Sequence, residues 1–390
     1  MAEEIRPVVM SWSGVTARRM ARNALADPAT EVGPAEIAGL MCGAHAQVLS
    51  SAEVSIGRRI AGATRSDVQR ALWQERSLVK TFGPRGTVHL LQTADLPMWT
   101  GALSALPSSA GLHPEGVRFS PEQAEEVVSA IGDALADAEL TVDELTIAII
   151  ERVGPWAGEK TMDAFQDKWP RWRQLTSMAG HRGVLCFGAN RGRKVTYTNP
   201  HRWLPGFAPQ DGETALAALL LQYLHAYGPS TPQHFARWLG VQPKAAVDLF
   251  ARMAGDLETI ELDGEAGWVV AGDTEMPDQP HRGVRLLPYF DAYVVAGQPR
   301  RLLYPGKAAM RALSPSGQAG NYPVLLVDGV VGGVWHQRRS GRRLEFTVEP
   351  LRPLDEGQRS QLESDVELLG SVMEATPTVT IGTVAVGSHA

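Results

Sequence analysis

Cysteine is nearly absent from this sequence, which has Cys42 and Cys186 as its two cysteines in 390 residues. So small a number excludes a secreted domain stapled by disulfides, and no cluster of cysteine and histidine has the spacing of a zinc site. Both cysteines stand among apolar neighbours, which predicts buried thiols in a cytoplasmic protein. The pattern predicts neither a metal nor a cofactor.

Long apolar runs are also missing, so the sequence predicts no membrane-spanning helix. Its first residues, MAEEIRPVVM, lack the basic and then apolar order of a secretory signal. Phosphate-binding glycine loops and Ser-His-Asp arrangements are not found either, which leaves those enzyme classes without support. What remains is a globular composition, 44% hydrophobic and 21% charged, on a length that allows two to four domains.

An excess of basic charge is missing as well, because the net charge is −6. The arginines are nevertheless clustered at 58–59, at 191–194 and above all at 338–343, whereas acidic residues concentrate in 121–140. Such segregation is compatible with one basic face for an anionic partner on an acidic protein. For any single cluster, a solvated run of charge remains the alternative.

One order of elements, helices followed by two strands around a turn rich in glycine or arginine, occurs three times. The first occurrence has helices near 14–25, 34–44, 51–62 and 66–75 and strands near 77–82 and 87–92. The second has capped helix starts at Ser120 and Thr141 and strands within 183–198. The third has helices from 213, Thr231 and Pro243 and strands within 257–271. This order is that of the winged helix, with three unrelated α+β segments as the alternative.

The last quarter of the sequence has mainly strand-like patterns. Segments 285–296 and 322–329 are predicted strands, and 330–350 is predicted to be a hairpin with the tip RRSGRR. A helix at 355–373 and a last strand in TVTIGTVAV follow, and 313–321 is predicted to be a mobile loop. We predict a small sheet or partly open barrel for this region.

The stretch GAHAQVLSSAE, residues 43–53, places polar side chains between two helical patterns. Gly33-Pro34 with Glu36 predicts the start of one helix, and Ser50 with Glu53 predicts a capping box for the next. The residues between the helices are predicted to be extended, so that His45 and Gln47 share a face opposite Ala46. From spacing alone, these two side chains are either a site or solvated turn residues.

Several strings resemble the AlkZ/YcaQ-type winged-helix DNA glycosylases of bacteria, and they occur in order over nearly the whole chain. They are AGLMCGAHAQVLSSAEVSIGRRI, PRGTVHLL, HRGVLCFGANRGRKVTY, YLHAYGPSTPQHFARWLG, LLPYFDAYVVAG and VLLVDGVVGGVWHQRRSGRRLEFTVEPL. The resemblance implies an α+β fold of three tandem winged-helix units plus a C-terminal β-barrel-like sheet, C-shaped with a concave DNA-binding face. The implied regions are winged helix 1 with the catalytic motif at 1–110, winged helix 2 at 111–205, winged helix 3 at 206–280, and the barrel-like region with the basic hairpin at 281–390.

The resemblance also implies a function. It implies a monofunctional DNA glycosylase that hydrolyses the N-glycosidic bond of bulky N7-alkylated purines, interstrand crosslinks included. The implied partner is double-stranded DNA carrying such purines, and the implied protein is a monomer, cytoplasmic and associated with the nucleoid through DNA.

The family's catalytic motif consists of Gln, an apolar residue and then Gln or Asp, which here falls on His45-Ala46-Gln47. The second polar position keeps Gln, whereas the first is His in place of Gln. Such His-containing variants occur in family members that protect antibiotic producers from their own DNA-alkylating products. The departure therefore points to repair or self-resistance.

The chemistry required of these residues follows from the lesion. An N7-alkylated purine is already cationic and leaves without protonation, so the enzyme must stabilise an oxocarbenium-like sugar and supply water. Gln47 can orient the water but cannot take its proton, whereas the neutral imidazole of a histidine accepts protons near neutral pH. His45 is either the base or a group that only positions water. Since a crosslinked base cannot leave the duplex while both strands are tied, we expect an open cleft at His45.

A second candidate site is the basic hairpin. Residues at its tip and base are predicted to enter a groove and contact phosphates, namely Arg338, Arg339, Arg342, Arg343, Trp335 and His336. Ser50 and Ser51 are predicted to bind phosphate at a helix start. Arg191, Arg193 and Lys194 in the second wing are a weaker candidate. A solvated surface turn is the alternative for the hairpin.

Two other functions stay open at the level of sequence. A winged-helix transcription regulator without catalysis would dimerise and prefer one operator, and an inert family member would only shield lesions. Measuring base release from N7-alkylated duplex separates both from a glycosylase.

Overall fold

The computed structural model describes residues 8–107, 115–163 and 168–388. Over these residues the fold mixes helices and strands, as predicted, and it divides into two compact units. One unit combines 1–71 with 220–390, and the other comprises 72–219. Division of the chain at 110, 205 and 280 stays a prediction. Among the described helices, none has the length and apolarity needed to span a membrane.

The α-helices vary from 4 to 17 residues in length. In chain order they are α1 Trp12–Arg22, α2 Pro34–Leu40, α3 Leu49–Gly57, α4 Arg65–Trp73, α5 Leu96–Ser104, α6 Pro121–Leu135, α7 Val142–Val153, α8 Thr176–His181, α9 Gly212–Tyr227, α10 Pro232–Leu239, α11 Pro243–Arg252, α12 Ala292–Ala296, α13 Arg300–Leu303, α14 Lys307–Ala312 and α15 Glu356–Val372.

The β-strands are mostly short. In chain order they are β1 Val8–Met10, β2 Ala44–His45, β3 Leu78–Phe82, β4 Val88–Gln92, β5 Leu140–Thr141, β6 Lys160–Asp163, β7 Lys168–Pro170, β8 Cys186–Phe187, β9 Thr196–Thr198, β10 Leu257–Leu262, β11 Glu265–Val270, β12 Val284–Leu287, β13 Val324–Val327, β14 Val330–Ser340, β15 Arg343–Pro350 and β16 Thr376–Ile381.

Helix starts follow local capping chemistry closely. Ser120 and Gln123 exchange side-chain and backbone hydrogen bonds of 3.2 and 3.0 Å at the start of α6, which satisfies two backbone N–H groups of the helix start. Thr141 and Glu144 do the same for α7. The Glu36 carboxylate accepts from Gly33 N at 3.0 Å at the start of α2. These three predicted starts are confirmed.

The predicted order of helices and a two-stranded wing is present three times. It occurs as α2, α3 and α4 followed by β3 and β4, as α6, α7 and α8 followed by β8 and β9, and as α9, α10 and α11 followed by β10 and β11. The third wing turns at Asp263-Gly264, where both residues have positive φ, and its strand β10 also pairs in parallel with β1.

A five-stranded sheet in the order β12-β13-β14-β15-β16 forms the curled half-barrel of the C-terminal region. Alternate residues of its strands enter two different cores, as Leu325 and Leu326 illustrate. One core also contains Met20, Tyr293 and Leu303 from helical segments, and the other contains residues of α15 together with Val54 of α3. The sheet is therefore covered on both faces, and α3 is packed directly against one of them.

Two sequence predictions in this region are wrong. The predicted strand 285–296 ends at Leu287, because Asp291 caps a new helix, α12, by accepting a hydrogen bond from Tyr293 N at 3.0 Å. Helices α13 and α14 stand where the sequence pattern predicts none. Segment 313–321 contains neither helix nor strand, and its mobility stays a prediction.

Candidate active site

The His-Ala-Gln motif lies immediately after a left-handed turn. Helix α2 ends at Leu40 rather than at the predicted 44, since Cys42 and Gly43 have φ angles of 51° and 88°. Gly43 N donates to Ala38 O at 2.8 Å, which closes the helix end, and a glycine adopts this conformation without a Cβ clash. The turn leads the chain into β2, which ends at His45, so that Ala46 and Gln47 lie in the short segment between β2 and α3.

Burial along the motif alternates as predicted for an extended chain. Ala44 and Ala46 are 0% and 1% exposed, whereas His45 is half-buried and Gln47 is exposed. His45 and Gln47 are therefore the more accessible pair, and the two alanines fix this stretch to the protein interior. The structure confirms this alternation, which is the geometric precondition for His45 and Gln47 to act on one substrate.

Helix α3 begins directly behind the motif, two residues earlier than the predicted capping box requires. Val48 is its N-cap and provides no side-chain hydrogen bond, so the predicted Ser50–Glu53 box is wrong. Glu53 is instead buried, where it accepts from Gln69 Nε2 at 2.8 Å and pairs with Arg65 at 3.2 Å. The backbone N–H groups of the first turn are thus left without a side-chain cap and offer partial positive charge to an anion.

A pocket of about 210 Å3 opens at this helix start. It brings together four residues predicted to bind DNA, Ser50 and Ser51 from α3 and Trp335 and His336 from β14. Val48, Val54, Pro288, Tyr289, Pro323 and Gln337 complete the lining. Its volume is below the roughly 300 Å3 at which pockets for drug-sized ligands begin, so it suits a base-sized group.

Trp335 forms the wall of this pocket from the core side. Its indole is 2% exposed, donates to Leu287 O at 3.0 Å and packs against Phe346 with ring centroids 5.4 Å apart. A ring held in this way does not insert between bases, which differs from the groove-entering role predicted for it. His336, the next residue on β14, is half-buried and also lines the pocket.

The arginines of the hairpin tip lie beyond the pocket. Ser340 follows His336 by four residues, which is about 13 Å along a strand. Arg338 pairs with Glu345 at 3.2 Å, and Arg339 donates to Met373 O at 3.1 Å. Arg342 and Arg343 are exposed at the turn. The hairpin therefore presents its charge to solvent, away from the small pocket.

The loop between β12 and α12 is a part of the site that the sequence pattern does not indicate, although it lies in the string LLPYFDAYVVAG. Tyr289 lines the pocket, and the ring of Phe290 stacks on His45 with a centroid distance of 4.5 Å and an interplanar angle of 32°. The loop is thereby in contact with both the motif and the pocket. The sequence signal available for this loop is the aromatic pair Tyr289-Phe290 before Asp291. The apolar residues around it, however, favour the prediction of a continuous strand.

Asp291 anchors this loop from inside the protein. Its carboxylate receives two hydrogen bonds of 2.8 Å from Arg59 and one from the Ser55 hydroxyl, and the Arg59 and Asp291 side chains are both 0% exposed. Burial alone raises the pKa of Asp291, but the Arg59 charge and the hydrogen bonds outweigh it and lower that pKa. Ser55 lies in the last turn of α3 and Arg59 lies two residues after the end of that helix, so this segment and the loop are tied together.

The basic turn of the second wing has partners of its own in the 72–219 unit. Arg191 pairs with Glu144 at 3.0 Å and Lys194 pairs with Asp143 at 2.8 Å, both at exposed positions. These pairs reduce the charge available to an outside anion. In the described part of the chain, no three metal-ligating side chains come together. Cys42 and Cys186 are both buried, as predicted.

Comparisons with known proteins identify the family. The sequence profile described as "DNA glycosylase AlkZ-like" matches residues 38–372. The interstrand DNA cross-link repair glycosylase of Streptomyces sahachiroi is 32% identical, over 83% of this chain and 87% of that protein. The solved structure of the Streptomyces sahachiroi DNA glycosylase AlkZ superposes with a TM-score of 0.78 at 26% identity, covering 96% of this chain and 100% of that one.

These matches define an enzyme that acts on DNA. The chain belongs to the AlkZ-like family of DNA glycosylases. Membership in an enzyme family decides against a transcription regulator without catalysis.

Proposed function

We propose that this chain hydrolyses the N-glycosidic bond of bulky N7-alkylated purines, interstrand crosslinks included, in DNA repair or in self-resistance to a DNA-alkylating natural product. The observation that carries the proposal is the accessible pair formed by His45, the last residue of β2, and Gln47, two residues further on, directly before the start of α3 and its pocket. The name of the Streptomyces sahachiroi relative, which refers to cross-link repair, supports the same kind of lesion.

Within this proposal the two side chains divide the work. The Gln47 amide orients a water towards the anomeric carbon and turns its oxygen to the cationic sugar. His45 accepts the proton that the water loses as it attacks, and positioned proton transfer of this kind contributes about 10²–10⁴ in rate. The alkylated base departs with the electron pair of the glycosidic bond and becomes neutral.

DNA is held on either side of the reacting sugar. The start of α3, with Ser50, Ser51 and uncapped backbone N–H groups, binds one phosphate, and the arginines of the hairpin tip bind others farther along the duplex. His336 and Gln337 lie on the strand between these two regions. This arrangement makes the phosphate contacts independent of the chemical step.

The size of the pocket supports an open site for a bulky lesion. A volume of about 210 Å3 accommodates a base-sized group but not a base together with a large adduct. A bulky substituent on N7 therefore stays outside the pocket while the sugar faces His45 and Gln47.

Base release is the decisive measurement. Purified protein is incubated in excess over duplexes carrying a monofunctional N7-alkylguanine or an N7–N7 crosslink, and the freed base is quantified over time. His45→Ala and Gln47→Ala are expected to lower the single-turnover rate by about 10²–10⁴ while DNA affinity changes little.

Gln361→Ala, at an exposed position of α15, is the matched control and should release base at the wild-type rate. Wild-type rates in His45→Ala and Gln47→Ala would show that the catalytic assignment is wrong. Release equal to the uncatalysed background in the wild type would identify an inert family member. Expression in bacteria treated with a nitrogen mustard should raise survival if repair is the cellular role.

A further inference from the structure

Phe290 is held against His45 by features that no catalytic or DNA-binding role yet explains. The two rings lie 4.5 Å apart and are tilted by 32°, a geometry that fixes the plane of the imidazole. Both residues are half-buried, so the contact is at the edge of the accessible site rather than in the core.

The backbone of Phe290 is in an unfavourable conformation for its residue type. Its φ angle of 58° lies in the left-handed region, which a bulky aromatic residue rarely occupies unless surrounding structure enforces it. Strain of this kind persists where the side chain must be in one particular place.

Two neighbours enforce that conformation. On one side, Asp291 is locked by the buried hydrogen bonds from Ser55 of α3 and from Arg59, two residues after the end of that helix. On the other side, Gly320 approaches so closely that an added Cβ would lie 2.6 Å from Cδ1 of Phe290. Glycine at 320 therefore leaves room for the ring, and α3 determines where the loop that carries it can lie.

The residue that Phe290 touches is the one that departs from the family's common motif. A glutamine amide at this position is oriented by hydrogen bonds, whereas an imidazole has a flat ring whose two nitrogens point wherever the ring plane directs them. A stacked aromatic ring restricts rotation of that plane and so aims one nitrogen at the water.

We propose that Phe290 is a positioning residue that orients the His45 ring for proton transfer, and that its contribution depends on histidine being present at position 45. The proposal rests on the catalytic role proposed above for His45. Arg59, Ser55 and Asp291 act behind it by holding the loop.

A double-mutant cycle tests this dependence. Phe290→Leu, His45→Gln and the double variant are compared in single-turnover base release from N7-alkylguanine duplex. Phe290→Leu is expected to lower the wild-type rate about 10- to 100-fold, because small displacements of a catalytic group have effects of that size. In the His45→Gln background the same change should alter the rate less than twofold, and DNA affinity should change less than twofold throughout.

Two controls separate positioning from general damage. Phe290→Tyr keeps the ring and should retain most of the activity. Phe119→Leu removes another half-buried, stacked phenylalanine and should leave the rate unchanged. Thermal unfolding of all variants reports any loss of the fold.

The failure of each proposal has a distinct signature. An equal loss of rate from Phe290→Leu in both backgrounds, or a wild-type rate in Phe290→Leu while His45→Ala is inactive, overturns the positioning role alone. A wild-type rate in His45→Ala overturns the catalytic assignment, and with it the positioning role.

Discussion

Two pairs of adjacent arginines in this chain look alike in sequence and have opposite environments. Arg58 and Arg59 at the end of α3 are buried, with side chains 1% and 0% exposed, and each is paired with an aspartate, Asp365 and Asp291. Arg342 and Arg343 at the hairpin turn are exposed. The first pair ties elements of the protein together, whereas the second is available to an outside anion.

The difference arises from residues far away in the chain. The partners of Arg58 and Arg59 are 307 and 232 residues distant in sequence, so no local pattern reveals them. A two-residue turn, by contrast, extends its side chains into solvent regardless of what the rest of the fold contains. Clustered arginines alone therefore do not distinguish an internal anchor from a DNA-binding surface.

The largest effect is expected on folding stability, from removing Asp291, the acid that is paired with Arg59. Asp291→Ala leaves a fully buried guanidinium without its counter-ion, which typically costs about 3–5 kcal/mol of folding free energy. Thermal or urea unfolding monitored by tryptophan fluorescence measures the loss. The double change Arg59→Met with Asp291→Leu removes both charges and should recover part of the lost folding free energy. Equal stability of Asp291→Ala and the wild type would show that the pair is not an anchor.

The pH dependence of the same pair has a defined sign. Because the pKa of Asp291 is lowered in the folded state, its ionised form contributes stability above the unfolded-state value of about 3.9, and this is lost as pH falls through the folded pKa. The stability difference between wild type and Asp291→Asn should therefore shrink on acidification below about pH 4. A difference that stays constant throughout acid titration would contradict the lowered pKa.

An effect of intermediate size is expected from the exposed arginines of the hairpin, and it concerns DNA binding rather than folding stability. Changing Arg338, Arg339, Arg342 and Arg343 to serine should weaken DNA binding and reduce the slope of log affinity against log salt by about 0.9 for each phosphate that the protein no longer neutralises. The double change Arg342→Ser with Arg343→Ser should account for most of the loss of affinity and of salt slope, since Arg338 and Arg339 have partners within the protein. An unchanged slope would favour a solvated turn that does not touch DNA.

The smallest effect is expected in the second wing. Arg191, Arg193 and Lys194 have the composition of a DNA-binding turn, but Arg191 and Lys194 are paired with acids of α7 at exposed positions. Replacing the three with serine should leave both the unfolding temperature and the salt slope within experimental error. A slope reduced as much as in the hairpin variant would make this wing a second DNA-binding element.

Sequence reasoning succeeds where a short-range interaction decides the structure. Ser120, Thr141 and Gly33-Pro34 cap their helices as predicted. The alternation of Ala44, His45, Ala46 and Gln47 follows from extended geometry alone. The family resemblance, rather than spacing, makes that stretch a catalytic candidate.

Sequence reasoning fails where a distant partner decides the structure. Ser50 and Glu53 have the spacing of a capping box, yet Glu53 is recruited by Gln69 and Arg65 and the helix begins earlier. Residues 285–296 have the composition of one strand, but the charge of Arg59 holds Asp291 inside the protein and a helix starts there. The stacking of Phe290 on His45 depends on that same distant contact.

The short strand that carries the motif constrains how this enzyme can vary among organisms. Since burial alternates from Ala44 to Gln47, one inserted or deleted residue between Gly43 and Val48 would turn alanines outward and the polar pair inward. Substitutions at position 45 leave this spacing intact, whereas changes in length do not. Related genes are therefore expected to differ here by exchange of side chains within a segment of constant length.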